Sequence, residues 1–234
     1  MKFFVTGGAG FIGKHLIKSL LKNNHQVTIY EDFSNSDEND IKDICKDGAL
    51  LIIGSLTDYD LLEKKLKDFD FVIHLAAKID ILESIDNPEI TNKINVEGTI
   101  NILRACVKNN IQNIIAASSA AVYGNTKIIP VTEDSIPNPV SPYGADKISM
   151  EFYIRAFANT FNLNAISLRF FNVYGKGQSN AYAGVITKFL QNIKSKKSLE
   201  IFGDGKNTRD YVFIDDLIHG ILQAIKNIQG QKGT

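Results

Sequence analysis

The sequence predicts an α/β fold in which helices cover both faces of a doubly wound parallel sheet, with a small second lobe after it. Along the first 170 residues, short apolar runs alternate with longer segments of helical periodicity. Six such runs occur, and a glycine-rich turn follows the first of them. Uninterrupted apolar runs of this length are typical of parallel strands buried on both faces. The 234 residues are 44% hydrophobic, enough to bury a substantial core.

The individual elements follow from local patterns. The predicted strands are 2–6, 26–31, 50–54, 69–76, 113–119 and 164–170. Helical periodicity places Ile12, Leu16 and Leu20 on one face of the first helix. Asp58 suits the N-cap of the second helix, and Pro88 suits the first turn of the third. The predicted helices are 11–23, 58–68, 86–110 and 141–161.

The character of the chain changes after residue 170. A segment rich in Gly, Asn and Ser comes first, and it predicts a loop. A helix at 182–195, strands at 199–203 and 210–214, and a last helix at 215–228 are predicted to follow. We therefore predict two domains, 1–170 and 171–234.

Composition and charge exclude several classes of protein. The 26 basic and 26 acidic residues balance, which excludes a strongly basic nucleic-acid binder and gives no electrostatic reason to lie on a membrane. No apolar stretch approaches the ~18 residues of a transmembrane helix. Two cysteines without a CxxC motif, and histidines without ligand spacing, predict no metal site and a reducing, cytoplasmic location.

The glycine-rich turn is the first candidate site. Residues 6–13 read TGGAGFIG, so Gly7, Gly10 and Gly13 recur at intervals of three between a strand and a helix. Glycines there permit a tight turn, close approach of the backbone to a pyrophosphate, and close packing of the helix. The free N–H groups and positive dipole end of the helix favour phosphate. This context predicts dinucleotide binding over an ordinary turn.

Two acidic residues, Glu31 and Asp32, end the second strand. An acid at this position can accept a hydrogen bond from a ribose 2′-hydroxyl and would repel a 2′-phosphate. No arginine follows that could bind such a phosphate, so NAD is favoured over NADP. Which acid faces the ribose stays open, since either one could instead cap the next turn.

Tyr143 and Lys147 have the spacing Y-x-x-x-K, which places them on one face of a predicted helix. To act as a base near neutral pH, the tyrosine needs a pKa lowered by ~3 units, or about 4 kcal/mol. We expect the lysine, a positively charged nicotinamide and desolvation to supply this together. Ser118 and Ser119 close the fifth strand at the edge where such sheets hold ligands. Alone, the pair would be read as ordinary surface packing and the serines as a strand end.

Seven motifs in sequence order resemble the extended short-chain dehydrogenase/reductase family, in its subgroup of NAD-dependent nucleotide-sugar epimerases and dehydratases. Single motifs are modest signals, whereas seven in the family's order are specific. The resemblance implies a Rossmann NAD-binding domain at 1–170 and a partial nucleotide-sugar-binding lobe at 171–234. The motifs are TGGAGFIG (6–13), HLAA (74–77), NVEGT (95–99), SSAAVYG (118–124), YGADK (143–147), LRFFNVYG (168–175) and GDGKNTRDYVFIDD (203–216).

The resemblance also implies roles for individual positions. The implied catalytic residues are Ser119, Tyr143 and Lys147. The positions implied to bind NAD are Gly7, Gly10, Phe11, Ile12, Gly13, Glu31, Asp32, Asn35, Ser36, Ser55, Leu56, Leu75, Ala76, Ala77, Asn95, Tyr143 and Lys147. The positions implied to bind a UDP-sugar are Ser119, Tyr143, Asn172, Phe202 and Arg209, the last through its diphosphate. No metal is implied, and a homodimer through helices 86–109 and 143–161 is expected.

The implied reaction is epimerisation at C4 of a UDP-hexose, interconverting UDP-glucose and UDP-galactose through a transient 4-keto sugar. Dehydratases of the family carry an acid where this chain has Ala120 and Ala121, so dehydration is disfavoured. Alternatives left open are another NDP-sugar epimerase or reductase, acting on UDP-GlcNAc or a uronate, and a non-catalytic NAD-binding protein.

Three departures from the family pattern stand out. Gly54-Ser55 stands where the family often has Gly-Asp, which puts recognition of adenine by that carboxylate in doubt. Lys78, after HLAA, has no assigned role. Family members are usually longer, so a C-terminally truncated substrate lobe is expected.

Overall fold

The computed structural model describes residues 1–127, 129–178, 184–201 and 203–233. The predicted α/β fold is confirmed. Each of the six predicted strands is present, with ends that move by a few residues at most. The strands are β1 (Lys2–Thr6), β2 (Gln26–Glu31), β3 (Leu50–Ile53), β4 (Phe71–His74), β5 (Asn113–Ser119), β6 (Asn164–Phe170), β7 (Asn172–Tyr174), β8 (Tyr211–Phe213) and β9 (Lys232–Gly233).

Helices separate most of these strands along the chain. None within the described residues combines the length and the apolar character that a membrane span requires. The helices are α1 (Phe11–Lys22), α2 (Lys42–Lys46), α3 (Tyr59–Lys65), α4 (Ile81–Asp86), α5 (Pro88–Asn92), α6 (Gly98–Lys108), α7 (Pro142–Thr160), α8 (Val185–Lys194) and α9 (Ile214–Lys226).

The main sheet has the strand order β3-β2-β1-β4-β5-β6-β9, and every neighbouring pair in it is parallel. The order reverses between β1 and β4, where chain connections leave toward opposite edges of the sheet. In open parallel sheets a ligand crevice forms at that switch point, beyond the carboxyl ends of the strands. The topology therefore fixes where a site should lie.

Two apolar cores, one on each face, hold the helices to the sheet. Phe3 and Phe4 are adjacent in β1, and both are fully buried, but they belong to opposite cores. Leu16 of α1 and Ile221 of α9 share the core of Phe3. Ile102 of α6 and other apolar residues of α3 and α7 share the core of Phe4. Alternation of side chains along a strand explains how one short strand anchors both layers.

Several predicted elements need correction. The helix predicted over 86–110 is present without a break from Pro88 to Lys108, but a π-helical turn over Lys93–Glu97 lies between α5 and α6. The preceding helix α4 was not predicted. The strand predicted at 199–203 is absent from its described residues, 199–201 and 203. Within the predicted helix at 182–195, residues 182 and 183 lie outside the described ranges.

The sequence patterns also missed some structure. The turn over Glu38–Ile41 with α2, and the short strands β7 and β9, were not predicted. β7 pairs in parallel with β8 in a separate two-stranded sheet. Beyond residue 170, α9 packs in the core of the main sheet and β9 pairs with β6. The division at residue 170 therefore stays a proposal about which part holds which ligand.

Candidate active site

A cavity of about 490 Å³ opens at the carboxyl edge of the main sheet. Its walls come from the glycine-rich turn, the ends of β2, β4 and β5, the start of α7, and the segment after β6. Most of the residues singled out from the sequence meet there. Those that line it are Gly7, Gly10, Phe11, Ile12, Gly13, Glu31, Asp32, Asn35, Ser36, Leu56, Leu75, Ala76, Ala77, Ser119, Tyr143, Lys147 and Asn172.

Three predicted site residues that the structure describes, Ser55, Asn95 and Arg209, are not among those lining the cavity. The Ser55 hydroxyl is hydrogen-bonded to Thr57 Oγ1 at 3.0 Å. Asn95 is fully buried behind the wall. Arg209 is exposed, and its Nη1 donates to the neighbouring backbone carbonyl of residue 208 at 2.8 Å. Phe202 lies outside the described residues.

The glycine-rich turn is packed too closely for side chains at two of its glycines. Gly7 has a φ of +70°, and a Cβ there would lie 2.6 Å from the backbone nitrogen of Ala76. A Cβ on Gly13 would lie 2.5 Å from the carbonyl oxygen of Gly7 and 2.7 Å from Gly8 Cα. Gly13 therefore packs the start of the helix against the turn itself.

The start of α1 suits an anion. Gly10 is the N-cap and supplies no side-chain hydrogen bond, and the first turn of the helix carries no acidic residue. The first N–H groups of a helix lack intrahelical partners and carry the positive end of the helix dipole. A phosphate at this position would meet unpaired donors and no opposing charge.

Glu31, at the end of β2, is tied to the glycine-rich turn. Its Oε2 accepts a hydrogen bond from the Ala9 N–H at 3.1 Å, and its Oε1 accepts from the Phe33 N–H at 3.3 Å. Burial raises the pKa of this carboxyl, while the two backbone hydrogen bonds act in the opposite direction. Asp32 instead accepts from the Ser34 N–H at 2.9 Å, as a turn-forming acid does. Of the two acids, Glu31 is the one fixed against the cofactor-binding turn.

Ser119, Tyr143 and Lys147 lie together at the junction of β5 and α7. Tyr143 and Lys147 are 8% and 3% exposed. The Ser119 hydroxyl is hydrogen-bonded to Tyr143 and also accepts from the Ala121 N–H at 3.1 Å. Lys147 Nζ donates to the carbonyl oxygen of Ala117 at 2.9 Å and lies 5.8 Å from the centroid of the Tyr143 ring. The arrangement places a hydroxyl, a phenol and an ammonium around one end of the cavity.

The electrostatics of this group correct one expectation. Burial raises the pKa of Tyr143, and the hydrogen bond from Ser119 lowers it only in part. Desolvation therefore opposes phenolate formation, whereas we had counted it as a contribution in favour. Burial also lowers the pKa of Lys147 to about 8, against the raising effect of Asp146 and Glu151. The positive charge that would stabilise a phenolate thus depends on nearby carboxylates.

A buried hydrogen-bond chain supports the wall of the cavity from behind. Thr6 Oγ1 lies 2.7 Å from His74 Nδ1, and His74 Nε2 lies 3.0 Å from Thr99 Oγ1. Thr99 donates to the Asn95 carbonyl, so its oxygen is left to accept from His74 Nε2–H. Burial lowers the pKa of His74 to about 3, in keeping with a neutral ring in this tautomer.

Lys78, which had no role from the sequence, lines the cavity. The Asn95 side chain accepts from the Lys78 N–H at 2.8 Å and donates to its carbonyl at 3.0 Å. Lys78 Nζ pairs with Glu83 at 2.9 Å. Asn95, predicted to contact NAD, therefore shapes the wall through Lys78. The spacing of these residues along the sequence gave no sign of this pairing.

Comparison with known proteins decides the family. The NAD dependent epimerase/dehydratase family matches residues 3–234. The chain belongs to this family. A UDP-glucose 4-epimerase of Mycolicibacterium smegmatis is 34% identical over 229 residues, which are 96% of this chain and 73% of that protein.

Solved structures agree with this membership. A Thermotoga maritima UDP-glucose 4-epimerase with UDP-glucose superposes with a TM-score of 0.91 at 34% identity, over 97% of this chain and 74% of that one. A UDP-N-acetylglucosamine 4-epimerase of Methanobrevibacter ruminantium has the same TM-score at 35% identity, over 96% and 73%. A Thermus thermophilus UDP-glucose 4-epimerase solved with NAD has a TM-score of 0.89 at 28% identity, over 100% and 78%. The chain is thus a member of a nucleotide-sugar epimerase family, and its cofactor is NAD.

The residues of the cavity fit this cofactor. The close packing at Gly7 and Gly13 leaves the backbone bare where a pyrophosphate would approach. Ser36 Oγ, in the cavity wall, is buried without a hydrogen-bond partner, so a ligand hydroxyl or ring nitrogen could satisfy it. Glu31 keeps carboxylate lone pairs beyond its two backbone bonds for a ribose hydroxyl.

Proposed function

We propose that the protein epimerises C4 of a UDP-hexose and interconverts UDP-glucose and UDP-galactose. The observation that carries the proposal is the cluster of Ser119, Tyr143 and Lys147 at one end of a cavity whose other end fits NAD. Named UDP-glucose 4-epimerases among the relatives support the choice of reaction and substrate.

NAD, when bound, supplies a hydride acceptor at its nicotinamide ring and can return the hydride to the oxidised sugar. Tyr143 Oη, as phenolate, takes the proton of the C4 hydroxyl, and Ser119 orients that hydroxyl. The ammonium of Lys147 stabilises the phenolate, which burial alone disfavours. When hydride returns to the opposite face of the 4-keto sugar, Tyr143 gives the proton back. The sugar thus regains both the proton and the hydride that it gave up, so only the configuration at C4 changes.

The substrate lobe contributes at least two proposed contacts. Asn172 follows β6 in the cavity wall, and its Nδ2 donates to the Asp210 carbonyl at 2.8 Å, which ties β7 to the segment before β8. Arg209 is exposed next to that segment, where its guanidinium could reach a diphosphate. Phe202 stays a sequence-based proposal for the base pocket.

Ala120 and Ala121 bear on the choice between epimerisation and dehydration. Both lie in the turn over Ala120–Tyr123 that follows Ser119, and neither methyl group can transfer a proton. Elimination of water would need a further acid and base near the sugar. Epimerisation of UDP-GlcNAc is the second candidate, because the solved UDP-N-acetylglucosamine 4-epimerase is as similar as the UDP-glucose enzyme.

A homodimer is also proposed, through the helices over 86–109 and 143–161 of each subunit, to which the structure adds the neighbouring helix α4. On this face Leu82, Ile85 and Phe152 are 72%, 56% and 59% exposed, although they are large and apolar. Such a patch is typical of an interface between proteins. Leu103, on α6, is fully buried in the core and cannot contribute to this contact.

The test of the function is incubation of the purified NAD-loaded protein with UDP-galactose and, separately, with UDP-GlcNAc. Formation of UDP-glucose is expected, and Tyr143→Phe should slow it by roughly 10²–10⁴-fold while leaving NAD bound. Turnover of UDP-GlcNAc alone would move the assignment to the second candidate. Loss of water from either sugar would contradict epimerisation altogether.

A further inference from the structure

Three consecutive residues at the end of β5 are each bound to a different turn of α7. Lys147 binds the Ala117 carbonyl, and Tyr143 is hydrogen-bonded to Ser119. Ser118, between Ala117 and Ser119, donates a hydrogen bond from its hydroxyl to Glu151 Oε1. Glu151 stands four residues after Lys147, as Lys147 stands four after Tyr143, so all three lie on one helix face.

Glu151 is the most unusual member of this row. Its side chain is 3% exposed, and it holds a bidentate ion pair with Arg169 of β6. Arg169 Nη2 donates to Oε2 at 2.6 Å and Nε donates to Oε1 at 2.9 Å. Arg169 Nη1 also donates to the Tyr123 hydroxyl at 2.8 Å. The arginine thus fixes the carboxylate, and the carboxylate fixes Ser118.

A buried ion pair of this kind is a poor source of stability, because the cost of removing both charges from water offsets their attraction. The position of the pair suggests a different use. Burial lowers the pKa of Lys147, and the charge of Glu151 raises it. The same carboxylate fixes the residue that precedes Ser119.

We propose that Glu151 is a positioning residue for the reaction: through Ser118 it sets the place of Ser119, and through its charge it keeps Lys147 an ammonium beside Tyr143. This proposal rests on the proposed roles of Ser119, Tyr143 and Lys147. Arg169 serves it by holding the carboxylate in one orientation.

Other charged or titratable groups also surround this region, and a test must leave them unchanged. Asp146 acts on Lys147 in the same direction as Glu151. His74 of β4 is neutral at ordinary pH, and its pKa is lowered in part by Lys147. The remaining groups are Tyr143 on α7, Tyr123 after β5 and Arg169 on β6.

The decisive variant is Glu151→Gln, which keeps the size of the side chain and removes its charge. With the NAD-loaded protein and a sugar that the wild type turns over, we expect kcat to fall about 10-fold with KM changed less than twofold. The alkaline limb of the pH profile of kcat should move to lower pH, since Lys147 would lose its proton at lower pH.

A second measurement needs no turnover. The ¹³Cε chemical shift of labelled lysine, assigned by comparison with a Lys147→Met counterpart, follows the protonation of Lys147 alone. In Glu151→Gln this titration should move to lower pH by about one unit relative to wild type, because a carboxylate that raises the pKa of Lys147 is lost. An unchanged titration would overturn the proposal, whichever sugar the enzyme uses. If the wild type epimerises no sugar, the proposed function fails, and the titration still decides on Glu151.

A matched pair of serine variants covers the case in which Glu151→Gln does not fold. Ser118→Ala removes the hydrogen bond to Glu151 and keeps both charges. Ser167→Ala makes the same change at a buried β6 hydroxyl without a hydrogen-bond partner. We expect kcat to fall about threefold in the first and to stay at the wild-type value in the second. Equal kcat values in the two variants would contradict the positioning role.

Discussion

Gly13→Ala tests how strictly the glycine-rich turn limits the volume of its side chains. The added Cβ would lie 2.5 Å from the Gly7 carbonyl oxygen and 2.7 Å from Gly8 Cα. Both neighbours are backbone atoms, so the turn itself must move by about half an ångström or more. Overpacking of this kind costs about 1–3 kcal/mol. The better helix propensity of alanine returns at most about 1 kcal/mol of this.

We therefore expect Gly13→Ala to lower the free energy of unfolding by about 1–2 kcal/mol, measured by urea denaturation. The displaced turn should also weaken NAD binding at least ~10-fold in calorimetric titration, which corresponds to about 1.4 kcal/mol. Gly220→Ala is the matched control. Gly220 is exposed within α9, and a Cβ there would meet no atom within 4 Å. That variant should gain up to about 1 kcal/mol and bind NAD normally. Wild-type stability and NAD affinity in Gly13→Ala would refute the packing argument.

Two further predictions concern ionisable groups. Since burial lowers the pKa of His74 to about 3 from 6.5, the unfolded chain binds the extra proton first as pH falls. As pH falls from about 7 to 5, protonation of His74 in the unfolded chain should lower the free energy of unfolding by about 2 kcal/mol in wild type and in His219→Gln. His74→Gln should not show this loss. A similar pH slope in all three proteins, measured by urea unfolding, would contradict a buried neutral His74. Glu31→Gln should weaken NAD binding about 10-fold, because a charged acceptor is lost. Asp32→Asn should change it less than threefold, and the reverse order in calorimetry would assign the ribose to Asp32.

Strong local signals made the strands and the cofactor turn predictable. An apolar run such as 113–119 has one stable place in this fold, at the centre of a covered sheet. Weak signals failed: the two-residue strand β9 contains no apolar run, and only its pairing with β6 defines it. The long predicted helix formed, but its π-helical turn over Lys93–Glu97 was missed, because one extra residue hardly changes the apolar periodicity of so short a segment.

The candidate site divides in the same way. Gly7, Tyr143 and Lys147 were predictable because their chemistry depends on spacing within one segment. Glu151 and Arg169 were not, because their partnership joins α7 to β6 and no local pattern contains both. The raised pKa of Tyr143 was also missed, since the extent of burial is a property of the folded molecule. The sequence thus identifies the reacting groups, but it does not identify the surroundings that set their ionisation.

The π-helical turn over Lys93–Glu97 has a consequence for how this helix can vary. One residue less would restore regular α-helical geometry, but it would also rotate the preceding turn by about 100° and draw it in by ~1.5 Å. Asn92, before that turn, donates to Asp146 of α7 at 2.9 Å, while Thr99, after it, meets His74 of β4. A shortened helix could keep one of these contacts and would lose the other. The extra residue therefore sets how the helical face before the turn is rotated relative to the face after it. Single deletions there should be far less tolerated than in the partly exposed loop 124–127.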